Sequence, residues 1–258
     1  MVRFLRSVGR GVKLAGLFAY ASLELALKRP ATRVDRADWL HRFCARAVRR
    51  MGVGVRLAGR YPERGVVIAN HLGYLDIVVF AALARCVFVS KAEIRGWPLL
   101  GWMTTNSGTV YVERGRGGSA MRAKGGMQAA AEAGLPVVFF PEGTTSNGET
   151  VLKFHSGLLA QAMASGQPVT AAHVRYRLTE DNGPGVTVAD DVCYWGDTPI
   201  LKHIFRLLGL RGIEVEVRFA EAAIAFSEGM GRRKMAAAEA RAAVMELGGE
   251  VETVAPVS

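Results

Sequence analysis

Cysteine is scarce in this chain. Cys44, Cys86 and Cys193 are the only three in 258 residues, widely spaced, which excludes a disulfide framework and a zinc-ligand pattern. A reducing compartment suits such a sequence. Long apolar runs are short of what a bilayer demands. Residues 14–23 (LAGLFAYASL) form an uncharged stretch of ten that Glu24 interrupts, against the about 20 that a spanning helix needs. No fixed internal period is present, which excludes a repeat protein. No Ser or Cys sits in a recognisable nucleophile elbow. What is present in quantity is apolar side chain, 50 % of the total, so the chain is not disordered. Its length fits one catalytic-sized domain with a short extra element.

Acids are scarce in one place. Residues 1–60 hold 14 Lys and Arg against Glu24, Asp35 and Asp38, whereas residues 61–258 hold 19 against 20 acids. The whole net charge of +10 therefore sits in the first quarter of the chain. A localised basic block points to an anionic surface, lipid or nucleic acid. Arg3, Arg6, Arg10 and Lys13 precede the apolar stretch, Lys28 and Arg29 follow it, and Pro30 closes it. A second helical pattern follows, with Trp39, Leu40, Phe43, Ala47 and Met51 among Arg42, Arg46, Arg49 and Arg50. Two basic, partly apolar helices read as a monotopic anchor whose arginines reach lipid phosphates. The alternative is that both helices pack on the main domain and show solvent a charged face. Nucleic acid is disfavoured, since no recognised binding motif accompanies the block. The Ala19-Tyr20-Ala21 triplet resembles a signal-cleavage site, but the helical pattern runs on to Leu27 and the basic residues are scattered, so cleavage is not expected.

From about Val53 short β-like runs alternate with helical ones. Strands are expected at residues 53–57, 65–69, 86–89, 108–112, 136–140, 169–176 and 213–219. Helices are expected at 76–84, 119–133 and 154–164, with a last one from Ser227, as N-cap, to Leu247. The fold class is α/β, with a mixed, mainly parallel sheet covered by helices. An N-terminal two-helix membrane-binding element (1–52) precedes the α/β domain (53–258).

Three segments carry chemistry. His71 and Asp76 lie at a strand-to-helix junction, in NHLGYLD. A uniform helix would turn five residues through about 500°, onto different faces. A turn at Gly73 can instead fold the carboxylate back to hold one ring nitrogen while the other takes a proton. Such a pair can equally be a polar turn that caps backbone. With no protein nucleophile beside it, the attacking hydroxyl would belong to a substrate. The strand at 136–140 empties into FPEGTTSNG (140–148), at the carboxyl end where open α/β sheets bind ligands. The strand at 108–112 runs into Glu113 and Arg114, and an arginine there suits bidentate phosphate binding.

His-x-x-x-x-Asp at 71–76, the strand ending at Arg114 and Phe-Pro-Glu-Gly-Thr at 140–144 occur in that order, with Pro168-Val169 beyond. Together they resemble the blocks of the glycerolipid acyltransferase family that contains the lysophosphatidic acid acyltransferases, over roughly residues 53–176. The resemblance implies acyl transfer from an acyl-CoA or acyl carrier protein thioester to a lysophospholipid hydroxyl. His71 would be the general base and Asp76 its orienting partner, with no acyl-enzyme. Arg114 would hold an acceptor phosphate, and Glu142, Gly143 and Thr144 would shape the acceptor site. Lys91, Glu93 and Lys153 are further head-group candidates. Backbone N–H groups near Gly73 are one source of oxyanion donors. No metal and no cofactor are expected. The acceptor it implies first is 1-acyl-sn-glycerol 3-phosphate, in phospholipid biosynthesis at the cytoplasmic face of the inner membrane.

Two departures matter. Thr145 stands where an Arg commonly follows Glu-Gly-Thr, and His155 replaces a usual downstream Lys. Two cations fewer disfavour a bare phosphate monoester and bring in another lysolipid, such as lyso-ornithine lipid. A non-catalytic lipid-binding protein on the same scaffold is the competing class.

Overall fold

Short β-branched runs bounded by glycine or proline become the strands of one sheet. The computed structural model describes residues 1–96, 100–112, 119–227 and 233–249. Its strands are β1 (Val53–Ala58), β2 (Val66–Ala69), β3 (Val87–Lys91), β4 (Val110–Val112), β5 (Val137–Phe139), β6 (Val169–Leu178) and β7 (Ile213–Phe219). They lie in the order β1-β7-β6-β2-β5-β3-β4. Every neighbouring pair is parallel except β6 and β7, so the sheet is mixed and mainly parallel, as expected. Central β2 has Ile68 opposite Phe139 on one side and Ala171 on the other. All four of its residues are buried, which is why Val-Val-Ile-Ala reads as a continuous apolar run.

The helices are α1 (Val2–Lys28), α2 (Arg33–Met51), α3 (Tyr74–Leu83), α4 (Leu100–Asn106), α5 (Ser119–Glu132), α6 (Ser156–Ala164), α7 (Val188–Asp191), α8 (Ile200–Leu208) and α9 (Arg233–Gly248), with a 3-10 turn at Ala92–Gly96. Residues of α1, α2, α3 and α8 share one core with Val67, Ala69 and Val174. Residues of α5, α6 and α9 share the other with Val66, Ile68 and Phe139. The two-residue alternation along each strand divides these side chains between the layers.

The N-terminal pair divides its labour. Helix α2 starts at a capping box, Thr32 Oγ1 accepting the Asp35 N–H and Asp35 Oδ2 the Thr32 N–H, both at 3.1 Å. It buries Trp39, Leu40, Phe43 and Ala47, so its apolar stripe is used in packing. Helix α1 buries Ser7 and Glu24 with Leu17 and Ala21, and leaves Phe4, Leu5, Val8 and Val12 outside. Glu24 Oε1 binds Lys28 Nζ and Arg42 Nη2, each at 3.0 Å, which fastens α1 to α2. These two cations hold its carboxyl below the usual range although burial opposes them. Farther along, Arg3 and Arg206 meet on Asp191 Oδ1 at 3.0 and 2.9 Å. Among the described residues no helix is long and apolar enough to cross a membrane.

Several expectations shift. Helix α9 is described from Arg233, and residues 228–232, where its start is expected after Ser227, lie outside the described residues; the Ser227 N–H and hydroxyl bind Glu239. Helices α4, α7 and α8 were not legible as periodic runs, being four to nine residues long.

Candidate active site

β2 ends at Ala69, and Asn70 prolongs the sheet with its side chain. Its Oδ1 accepts the Val174 N–H at 2.7 Å and its Nδ2 donates to the Val174 carbonyl at 3.0 Å. An amide so placed imitates one more peptide unit of strand. The following turn is tight: a Cβ on Gly73 would lie 3.0 Å from the Tyr194 nitrogen and 3.1 Å from its Cβ. Gly73 then caps α3, whose first turn contains Asp76.

Asp76 is fully buried and takes four hydrogen bonds. Its Oδ2 accepts from His71 Nδ1 at 2.8 Å, from the Leu72 N–H at 2.6 Å and from the Gly73 N–H at 3.0 Å. Its Oδ1 accepts the Tyr176 hydroxyl at 2.6 Å. A carboxylate only accepts, so Nδ1 of His71 carries the proton and Nε2 the lone pair. The Leu72 and Gly73 N–H groups, expected as a source of oxyanion donors, are committed to Asp76 instead. Burial, then the Asp76 charge, pushes the Tyr176 hydroxyl well above its ordinary pKa, so it stays a donor.

The FPEGTTS loop fixes the rest of His71. Its ring stacks on Phe140, centroids 4.0 Å apart and planes 8° from parallel. Its N–H donates to Glu142 Oε1 at 3.0 Å, and its carbonyl accepts the Ser146 N–H at 2.9 Å. Glu142 Oε2 is buried with no hydrogen-bond partner among the described residues. Burial pushes this carboxyl up to about 7, and the nearby Asp76 charge adds to the effect.

The His71 side chain, 16 % exposed, lines a cavity of about 490 Å³. Tyr74, Ile77, Phe88, Val89, Ile94 and Tyr194 form apolar wall; Ser90, Lys91, Glu93, Thr104, Thr144 and Thr145 supply polar groups. The structure thus brings His71, Lys91, Gly143 and Thr144 together around one space, with Asp76 behind the imidazole. It does not bring Glu142 there, since that side chain braces the His71 backbone from below. Lys153 is exposed and is not part of the lining either. Arg114 lies outside the described residues. Sequence reasoning missed Tyr176 and the strand-like role of Asn70. Counting by twos along β6 from Ala172 and Val174 puts Tyr176 on the same face, and that period is the one signal it left.

The family described as Acyltransferase matches residues 53–175. The lyso-ornithine lipid O-acyltransferase of Pseudomonas aeruginosa is 36 % identical over 203 residues, 77 % of this chain and 72 % of that protein. The 1-acyl-sn-glycerol-3-phosphate acyltransferase of Neisseria meningitidis is 34 % identical over 164 residues, 64 % of this chain and 62 % of its own length. In three dimensions the chain resembles the crystal structure of the 1-acyl-sn-glycerophosphate acyltransferase of Thermotoga maritima. The TM-score is 0.59 at 19 % identity, covering 95 % of this chain and 100 % of that one. That last likeness speaks for the fold, and the sequence relatives speak for the lineage. Through these sequence relatives this chain belongs to the glycerolipid and lysolipid acyltransferase family.

Proposed function

We propose that the protein is a membrane-surface O-acyltransferase that moves a fatty acyl group from an acyl-CoA or acyl carrier protein thioester to the hydroxyl of a lysolipid. The observation that carries this reading is a His71 imidazole held by buried Asp76 through Nδ1, at the wall of a largely apolar cavity. Nε2 takes the proton of the acceptor hydroxyl as its oxygen attacks the thioester carbonyl. A new C–O bond forms, the C–S bond breaks, and the proton passes from His71 to the departing thiolate. Asp76 stabilises the imidazolium between the two transfers. No protein nucleophile, metal or cofactor enters the step. The acyl chain lies along Tyr74, Ile77, Phe88 and Tyr194, and the basic apolar face of α1 supports an approach from the cytoplasmic leaflet.

For the acceptor we favour lyso-ornithine lipid over 1-acyl-sn-glycerol 3-phosphate. The ornithine head offers one amine and one carboxylate, and the cavity presents one acid and one base, Glu93 and Lys91. Thr145 lines it where an arginine would serve a phosphate monoester. The likeness to the Pseudomonas protein supports the same choice. The 1-acyl-sn-glycerol 3-phosphate reading rests on the Neisseria relative.

Purified protein assayed by mass spectrometry against both acceptors, with acyl-CoA and acyl carrier protein donors, tests the proposal. Esterification of lyso-ornithine lipid is expected, and His71→Ala should lower it about a thousandfold. Full activity in His71→Ala removes the general base, and lipid binding without turnover leaves a binding protein.

A further inference from the structure

Helix α8 packs Leu207 and Leu208 into the core and still turns apolar side chains outward. Its inward side holds a histidine: His203 is buried, its Nδ1 accepting the Tyr74 hydroxyl at 2.9 Å and its Nε2 donating to the Cys193 carbonyl at 2.9 Å. Its outward side, one turn apart, holds Leu201 at 62 % exposure and Phe205 at 40 %. Phe205 meets Phe4 of α1 edge to face, centroids 5.6 Å apart, and Phe4 and Leu5 are themselves 59 and 60 % exposed. The two helices thus form one apolar ridge, made by segments almost 200 positions apart in sequence.

The one acid that meets both helices, Asp191, is buried beneath Arg3 and Arg206, and the exposed charges of the ridge segments, Lys13 and Lys202 among them, are basic. Residues 1–23 contain four cations and no acid, and α8, ILKHIFRLL, contains Lys202 and Arg206 and no acid. An apolar strip flanked by cations complements an anionic lipid interface: the side chains enter the acyl boundary and the cations meet the phosphates. A second copy of this chain would bring like charges together.

The ridge also flanks the cavity. Phe18 of α1 lies 5.8 Å from the ring of Trp102 on α4, the helix that carries cavity-lining Thr104. At its other end α1 meets α8, whose His203 holds Tyr74 and packs 5.3 Å from Tyr194, both cavity-lining. We infer that the outward face of α8, Leu201 and Phe205 with Lys202, is a second membrane-contacting element that seats with α1 on an anionic bilayer and sets the cavity's orientation to it. This inference rests on the membrane-surface reading above and extends it into the catalytic domain.

The native cysteines are all buried, so Leu201→Cys supplies a single exposed thiol for an environment-sensitive dye on the full chain. Met121→Cys, exposed on α5 across the sheet, is the control. With vesicles of phosphatidylcholine and phosphatidylglycerol, emission at 201 should rise several-fold and shift to the blue, while 121 stays unchanged. Leu201→Ser with Phe205→Ser should weaken vesicle co-sedimentation about tenfold. Its far-UV spectrum and melting should match those of the parent. Co-sedimentation of the labelled protein with no change at 201 overturns the role of α8 and leaves α1 as the contact. No co-sedimentation of the parent chain overturns the membrane reading itself. A dye response that follows protein concentration without lipid assigns the ridge to self-association and overturns the inference.

Discussion

The Tyr176 hydroxyl donates to Asp76 Oδ1 at 2.6 Å, while the other oxygen of the same carboxylate holds His71. The tyrosine comes from β6, the histidine and aspartate from the turn into α3, so the pair is referenced to the centre of the sheet. Tyr176→Phe leaves the ring in place and removes one charge-assisted bond, worth about 1.5–3 kcal/mol. The expected result is a fall in kcat of about tenfold or more with KM little changed. The freed carboxylate charge favours the imidazolium, so the acid limb of the rate profile should move to higher pH. Steady-state kinetics across pH 5–9 check this. Equal losses at every pH would reduce Tyr176 to a packing role.

Glu142 makes stability depend on pH in a direction uncommon for an acid. Its carboxyl stands at about 7 in the folded chain, against 4.5 ordinarily. Between those values the folded state keeps a proton that the unfolded state has released. Stability therefore falls as pH rises across that window, by up to about 3 kcal/mol. Glu142→Gln keeps an acceptor for the His71 N–H and removes the titration. Its denaturation midpoint should be flatter than the parent's between pH 5 and 8.

Gly73→Ala tests the turn. The added methyl meets the Tyr194 backbone at 3.0 Å, a contact that real side chains seldom make. Overpacking of this kind costs about 1–3 kcal/mol. A lowered melting temperature and a larger loss of activity than of stability are expected, because the displaced residues are the Leu72 and Gly73 donors to Asp76.

Thr145→Arg tests the acceptor. It adds a planar cation to the cavity wall, suited to a phosphate monoester. Competition between the two lysolipids should shift toward 1-acyl-sn-glycerol 3-phosphate by about tenfold. An unchanged ratio would mean that the head group sits elsewhere.

Much of this architecture is legible in the sequence because its central strands are fully buried runs such as Val66-Val67-Ile68-Ala69, bounded by Gly65 and Asn70. The His71–Asp76 pairing is legible because Gly73 marks a turn that a helix-long count would forbid. What escaped detection has a common cause. Tyr176 lies 100 residues from Asp76, and the alternation in VRYRL turns its ring inward without telling what its hydroxyl meets. Glu142 sits in a loop whose composition suggests exposure, yet its side chain turns inward to the His71 N–H. Helix α8 reads poorly because it is nine residues long and carries apolar side chains on both sides, Leu207 and Leu208 inward and Leu201 and Phe205 outward.

The joint ion pair of Arg3 and Arg206 on buried Asp191 has a practical reach. Trimming the first turn, or crowding it with a fusion partner, would strip one of two positive neighbours from a sequestered anion 188 positions away. Harm from such handling would surface in the catalytic half of the molecule, not at the end that was altered.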